Sequence, residues 1–203
     1  MDIFGLCYPV YNNQKAFDDI KDHLSLLPCS ITVVDDGSNP PLKTHNIPNV
    51  KLFRIEEDKP WNQACANNLA IEKSEAKVIL RMDIDHFILP KDYDLFAKLA
   101  NCLPQKTIYQ FKRFRIDKNE FINVGCNIIM FKKTDFENIG RYDERFCGNY
   151  GYEDLEFQFR AKKLGFKLQE YPLTIFTNAH NKTPDVVRDR SVNKELYRTL
   201  TRN

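Results

Sequence analysis

The sequence is poor in glycine and lacks any long apolar run, and both features restrict what it can be. Only 7 of its 203 residues are glycine and 10 are proline, whereas 42% are hydrophobic. This composition excludes collagen-like and disordered chains and is typical of a globular protein with a sizeable core. No stretch approaches the ~20 apolar residues that cross a bilayer, and no secretory leader opens the chain. We therefore expect no integral membrane segment and a cytoplasmic location.

An excess of charge of either sign is also missing. The 30 lysines and arginines nearly balance 28 aspartates and glutamates, which leaves a net charge of +2. The chain therefore has no broad basic field, and we expect it not to bind nucleic acid. Its six cysteines form no C-x-x-C pair, which favours reduced, mostly buried thiols over disulfides or a zinc site.

Short apolar strands alternate with helical segments through the first half of the chain. Such alternation builds a mostly parallel sheet that is covered by helices. The expected fold class is therefore α/β, with a mixed, mostly parallel central sheet flanked by helices. Periodicity predicts strands at 3–10, 31–34, 50–55 and 78–82, and helices at 13–27, 61–73 and 90–103.

The second half of the chain is less regular. Its pattern predicts a hairpin of two long strands, two helices, two further strands and a polar tail. The hairpin would join residues 108–116 and 123–131 through the polar turn 117–120. The helices are expected at 134–139 and 153–164, and the last strands at 166–171 and 173–177.

Two acidic motifs directly follow predicted strands. Asp83 and Asp85 end one apolar strand, and Asp35 and Asp36 end another. Ligands of open α/β sheets bind beyond the carboxyl ends of strands, and unpaired buried carboxylates cost several kcal/mol each. A divalent ion that joins Asp83 and Asp85 to a diphosphate would satisfy the first pair, and a base or ribose the second. Solvated turns are the alternative interpretation of both motifs.

A third acidic pair, Glu153 and Asp154, opens a predicted helix after a loop that contains two glycines. The helix dipole favours negative charge there by ~0.3–1 kcal/mol, so capping is one interpretation. A general base presented by the loop is the other. Tyr150 and Tyr152 precede the acids and are candidates for an aromatic wall against an acceptor sugar. Trp61, the only tryptophan, is expected in the core.

The order of these motifs is more specific than any one of them. It resembles that of family-2-type glycosyltransferases of the GT-A fold over roughly residues 3–180. The segment at 140–144, ahead of the acidic pair, also resembles the carboxyl-terminal region of galactosyltransferase-type enzymes. The motifs that carry the resemblance are Pro9-Val10-Tyr11-Asn12, Val33-Val34-Asp35-Asp36-Gly37-Ser38, Ala66-Asn67-Asn68, Asp83-Ile84-Asp85 and Phe146-Cys147-Gly148 with Tyr152-Glu153-Asp154.

The resemblance implies a role for each of these positions. Asp154 would be the general base, Glu153 would hold sugar hydroxyls, and Tyr150 and Tyr152 would contact the acceptor. The metal, Mn²⁺ or Mg²⁺, would be held by Asp83, Asp85 and His180. The donor nucleotide would be bound by Tyr11, Asp35, Asp36, Asn68 and Asp83.

The implied reaction is a metal-dependent, inverting transfer of a single sugar. The donor would be a nucleotide-diphosphate sugar, a UDP-sugar, and the acceptor a carbohydrate or another hydroxyl compound. Within a single domain spanning 1–203, residues 1–104 would bind the nucleotide sugar. Residues 105–180 would bind the acceptor and catalyse, and residues 181–203 would form a tail or lid.

Two positions depart from the resembling pattern, and two other functions stay open. The usual arginine of an Ala-Arg-Asn pattern is Asn67 here, and the usual Gly-Gly before the acidic pair is Gly151-Tyr152. One alternative is a sugar-nucleotide nucleotidyltransferase, although the glycine-rich basic loop of that class is missing after the first strand. The other is a non-catalytic nucleotide- or carbohydrate-binding module of the same fold.

Overall fold

The computed structural model describes residues 3–178 and 187–202 and has the α/β architecture expected from the sequence. The strands are β1 (Phe4–Val10), β2 (Ser30–Asp36), β3 (Val50–Ile55), β4 (Val78–Arg81), β5 (His86–Phe87), β6 (Thr107–Arg115), β7 (Glu120–Ile122), β8 (Ile129–Lys132) and β9 (Lys167–Thr177). The α-helices are α1 (Gln14–Ser25), α2 (Gln63–Lys73), α3 (Tyr93–Asn101), α4 (Lys133–Ile139), α5 (Glu153–Lys163) and α6 (Ser191–Thr201). None of the described helices has the length and apolar character that a membrane span requires.

A single mixed sheet runs through both halves of the chain in the order β3-β2-β1-β4-β8-β6-β9-β5, with β7 added beside β6. The strands β3, β2, β1 and β4 are parallel, so their carboxyl ends meet at one edge. Strand β8 joins this parallel group to β6 and is antiparallel to both β4 and β6. The prediction of a mixed, mostly parallel sheet is thereby confirmed.

Helices cover both faces of the sheet, which explains the uninterrupted apolar runs of the central strands. Along β4, Val78 and Leu80 join the core formed with α1 and α3. Ile79 points to the other core, formed with α2, α4 and α5. Side chains alternate across a strand, so Arg81 follows Ile79 onto the α2 and α5 face.

The predicted hairpin is wrong in its second strand. Strand β6 pairs at its far end with the short β7, and residues 123–128 lie outside the sheet before β8 begins. This segment carries polar residues and a glycine, and its backbone bonds to side chains instead of to a neighbouring strand. The carbonyl of Asn127, for example, accepts a hydrogen bond from Arg81. The two predicted strands at 166–177 form one strand, β9, with an irregular register opposite Phe111 and Lys112.

The part of the polar tail that is described contains a helix, α6, that was not predicted. The many charged residues of this segment are typical of a solvated tail and gave no sign that one amide side chain, that of Asn193, is buried. The side chain of Asn193 donates to the carbonyl oxygens of Phe146, Asn149 and Gly151, at 3.0, 2.8 and 2.8 Å. Helix α6 thereby anchors the loop that precedes Glu153.

Candidate active site

A cleft of about 550 Å³ opens at the carboxyl edge of the parallel strands. Strand ends β1, β2 and β4 line one side, and the loop before α5 with the first turn of that helix lines the other. Among its lining residues are Tyr11, Asp36, Trp61, Asp83, Asp85, Tyr150, Tyr152, Glu153 and Asp154. Most residues that the sequence nominated therefore share one cavity.

Asp83 and Asp85 lie at the strand side of the cleft, each next to a polar or cationic partner. The carboxylate of Asp83 accepts a hydrogen bond from the Gln63 amide at 3.1 Å and lies 3.2 Å from the guanidinium of Arg81. The carboxylate of Asp85 lies 2.7 Å from Nδ1 of His86. Burial opposes ionisation of Asp85, but His86 outweighs it and lowers the pKa of that carboxyl below its usual value.

These two carboxylates fit part of a divalent metal site. Mg²⁺ and ions like it are commonly held by one or two carboxylates together with substrate phosphate oxygens and water. Within residues 3–178 and 187–202, no three His, Cys, Asp or Glu side chains are grouped as a metal site. The third predicted ligand, His180, lies outside the described residues.

Asp36 faces the cleft from the end of β2, and Tyr11 from the end of β1. An oxygen of Asp36 accepts a hydrogen bond from Asn62 at 2.8 Å, and burial raises the pKa of Asp36 to about 6. The Tyr11 hydroxyl donates to Asp58 at 3.0 Å. Gly37 follows with a φ of +74°, and a Cβ there would approach the Asp58 backbone to 2.9 Å, so the turn requires glycine.

Two predicted donor residues do not line the cleft. Asp35 is buried; it accepts hydrogen bonds from the backbone of Ser38 and Leu42, both at 3.0 Å, and pairs with Arg54. It therefore closes the turn that presents Asp36. Asn68 bonds through its amide to the backbone of Tyr142, and so joins α2 to the chain that leads to the loop. Their polar groups are occupied by the protein itself.

Glu153 and Asp154 occupy the first turn of α5 and are both buried. Burial raises the pKa of each carboxyl above its ordinary value. The charge of Asp154 raises the pKa of Glu153 further, whereas Arg81 lowers the pKa of Asp154 and Asp83 raises it. Among the described residues, Oε2 of Glu153 and Oδ1 of Asp154 have no hydrogen-bond partner. Buried polar atoms without partners are rare, and at a cleft wall they are expected where a ligand completes the bonding.

Arg81 is the residue of the site that sequence reasoning missed. It is fully buried behind the cleft, with Nη1 at 3.7 Å from Asp154 and Nη2 at 3.2 Å from Asp83. Burial disfavours its charge, but Asp154 and Asp83 outweigh this and hold the pKa of Arg81 above its usual value. The available signal was one cation inside the apolar run Val78-Ile79-Leu80-Arg81-Met82.

The aromatic wall of the cleft has three members. The ring of Trp61, expected in the core, instead lines the cleft and meets the ring of Tyr150 edge-on, with centroids 4.3 Å apart. Arg190 places its guanidinium 5.1 Å from the centroid of the Tyr150 ring. Tyr152 has a φ of 73° and packs on Tyr197 of α6 at 5.4 Å. This left-handed conformation favours glycine and accounts for the Gly-Gly of the resembling pattern.

Comparison with known families agrees with this geometry in the second half of the chain. The family described as the N-terminal domain of galactosyltransferase matches residues 105–182. That segment contains β6 to β9 and the Glu153-Asp154 pair. No curated protein matches the sequence.

Solved structures are similar over nearly the whole chain. TarS 1-349 of S. aureus, in complex with UDP-GlcNAc, matches with a TM-score of 0.73 and 14% identity, covering 98% of this chain and 65% of that one. The mannosyltransferase PcManGT of Pyrobaculum calidifontis, in complex with GDP-Man and Mn²⁺, matches with a TM-score of 0.65 and 13% identity, covering 91% and 58%. The chain thus spans less than two thirds of either protein.

The chain has the fold of the GT-A glycosyltransferases, and its residues 105–182 are similar to a galactosyltransferase family. At these identities the solved structures show the fold alone. The galactosyltransferase-type match covers residues 105–182, and this range includes the segment at 140–144 that carries the sequence resemblance to such enzymes.

Proposed function

We propose that this chain transfers a single sugar from a nucleotide-diphosphate sugar, a UDP-sugar, to a hydroxyl acceptor with inversion of the anomeric centre. One observation carries the proposal: two acidic pairs face each other across one cleft in different environments. Asp83 and Asp85 remain partly exposed beside polar or cationic groups, whereas Glu153 and Asp154 are buried, and burial raises the pKa of both although Arg81 lies 3.7 Å from Asp154. The first environment suits ligands of a metal, and the second suits a proton acceptor.

The strand side of the cleft would bind the donor. Tyr11 and Asp36 would contact the nucleoside, and Asp35 would support them by closing the turn after β2. Asp83 and Asp85 would hold Mn²⁺ or Mg²⁺, with His180 as a further ligand. The metal, when bound, neutralises charge that develops on the diphosphate as it leaves.

The helix side would bind and activate the acceptor. A sugar ring stacked against Tyr150 and Tyr152 would bring one hydroxyl towards Asp154. Asp154 would accept the proton from that hydroxyl while its oxygen attacks the anomeric carbon opposite the diphosphate. Glu153, which has the more strongly raised pKa, would be protonated and would donate a hydrogen bond to a sugar hydroxyl. A single displacement of this kind inverts the anomer.

The solved neighbours bind two different nucleotide sugars, UDP-GlcNAc and GDP-Man. The decisive experiment is therefore a donor panel of UDP- and GDP-sugars, assayed for nucleotide release with Mn²⁺ and with a chelator. We expect release from a UDP-sugar that depends on Mn²⁺, and NMR of the product should give the inverted anomer. GDP binding about tenfold tighter than UDP would overturn the donor assignment, and a retained anomer would overturn the mechanism.

A further inference from the structure

Arg81 is a cation at a buried strand position where an apolar side chain is expected. It is the last residue of β4 and lies on the same face as Ile79, the face that α2 and α5 cover. None of its surface is exposed. A buried charge costs several kcal/mol unless partners compensate it, and an apolar residue of similar volume often stabilises such a position equally well. Packing alone therefore does not explain an arginine here.

The guanidinium donates two hydrogen bonds to groups from different parts of the chain, through Nε and Nη1. Its Nε donates to the Asn67 side chain of α2 at 2.7 Å, and its Nη1 donates to the carbonyl of Asn127. The side chain of Asn127 in turn donates to Asp83. The centre of the guanidinium also lies 5.9 Å from the centroid of the Tyr142 ring. The guanidinium is rigid and planar, so these three contacts, together with those to Asp83 and Asp154, restrict its orientation.

From this position Arg81 reaches both functional sides of the cleft. Nη2 lies 3.2 Å from Asp83, the predicted metal ligand, and Nη1 lies 3.7 Å from Asp154, the predicted base. Neither acid is otherwise paired with a cation in the described part of the chain. The remaining ionisable groups nearby are Glu153, Tyr142 and Cys126, and each of them is neutral or negative.

We propose that Arg81 is a positioning residue that joins Asp83 to Asp154 and sets the distance between the donor diphosphate and the proton acceptor. It touches neither substrate directly and acts through the two carboxylates. The inference rests on the proposed function, because it assigns Arg81 a task within that reaction. Without Arg81, Asp154 would lose its one cationic partner among the described residues, and the relative placement of the two acids would be lost with it.

The test compares three variants with the parent. Arg81→Met removes the charge at similar volume, whereas Arg81→Lys keeps a charge but cannot make the paired contacts of the guanidinium. Arg160→Met is the matched control, because Arg160 also pairs with a buried acid, Glu156, but its other hydrogen bonds go to the carbonyls of Ile139 and Arg141 rather than to Asp83 or Asp154. Thermal unfolding of each variant establishes how much of any effect is loss of fold.

We expect Arg81→Met to lower kcat by ~10²-fold, because small displacements of reacting groups cost that much. Arg81→Lys should fall between parent and Arg81→Met, and Arg160→Met should keep the parental kcat when folded. The acid limb of the pH–rate profile should move to higher pH in Arg81→Met, since Asp154 loses the cation that favours its ionised form. The affinity for UDP with Mn²⁺, measured by calorimetry, should fall by a smaller factor than kcat does.

A double variant separates positioning from general destabilisation. Because Arg81 acts partly through Asp154, adding Arg81→Met to Asp154→Asn should slow transfer by clearly less than the ~10²-fold expected for Arg81→Met in the parent. Multiplication of the two losses, or a parental kcat and pH profile in Arg81→Met or in Arg81→Lys, would overturn the inference. An inactive parent would instead count against the proposed function, so the two failures are distinguishable.

Discussion

Two pairs of acids face the same cleft, one just after β4 and one at the start of α5, and their surroundings differ. Asp85 lies beside His86, and its pKa is lowered. Glu153 and Asp154 are withdrawn from water beside each other, and the pKa of each is raised. The carboxyl of Asp85 is thus kept ionised, whereas the carboxyls of Glu153 and Asp154 bind a proton more readily.

The difference shows that local burial decides the chemistry of an acid as much as its identity does. Asp83 and Asp85, just after β4, keep 32% and 26% of their side chains exposed and stay in reach of ions. Glu153 and Asp154, in the first turn of α5, are buried, as is Asp36 at the end of β2.

Asp154→Asn should slow sugar transfer by at least ~10²-fold, because asparagine cannot accept the acceptor's proton. Asparagine keeps the size of the side chain and gives up the favourable interaction of a negative charge with the helix N-terminus, so the free energy of unfolding should change by less than ~1 kcal/mol. UDP and Mn²⁺ binding, measured by calorimetry, should remain parental. Transfer at a near-parental rate would move the base elsewhere and leave the pair at 153–154 as a helix cap.

Asp83→Ala and Asp85→Ala should each weaken Mn²⁺-dependent UDP binding by ~10–100-fold, since each removes a proposed metal ligand. Both side chains are partly exposed, at 32% and 26%, so the fold should survive. Titration of UDP with and without Mn²⁺ is the measurement, and Glu57→Ala is an exposed acidic control. Unchanged affinity in both variants would make this pair a solvated turn.

The pH dependence of the parent should separate binding from transfer. A base must be deprotonated, so the transfer rate should rise with pH through the raised pKa of Asp154, with its acid limb above pH ~5. Binding of UDP with Mn²⁺ should persist to lower pH, because the pKa of Asp85 is lowered. Coincident acid limbs for kcat and for binding would remove the contrast between the two pairs.

The smallest effect is expected on stability. Because the folded pKa of Glu153 lies above its unfolded value, the folded protein binds the extra proton, and stability falls as pH rises through that pKa. Glu153→Gln imitates the protonated form and should therefore raise the free energy of unfolding at pH ~8 by about 1–2 kcal/mol, and change it little at low pH. Urea unfolding at both pH values, with Glu57→Gln as control, measures this; a gain that does not depend on pH would contradict the burial argument.

At the two positions that depart from the resembling pattern, the structure shows what the residues present do instead. Asn67 stands where the pattern has an arginine, and its side chain accepts a hydrogen bond from Arg81. A guanidinium is thus present at this point but comes from a neighbouring strand. Tyr152 stands where the pattern has glycine and keeps the left-handed backbone. Its ring has a packing partner in Tyr197, on a helix more than forty residues away.

The sequence by itself determined the α/β class, the parallel strands and the three acidic pairs, because these depend on local periodicity and on what directly follows a strand. It also placed Asp83, Asp85, Glu153 and Asp154 in one expected site. Only the tertiary structure decided that Asp35 and Asn68 serve the scaffold, that Trp61 faces the cleft and that α6 anchors the loop through Asn193. The reason is physical: each of these outcomes depends on which distant group satisfies a buried polar atom or covers a ring, and such partners leave no periodic trace in the chain.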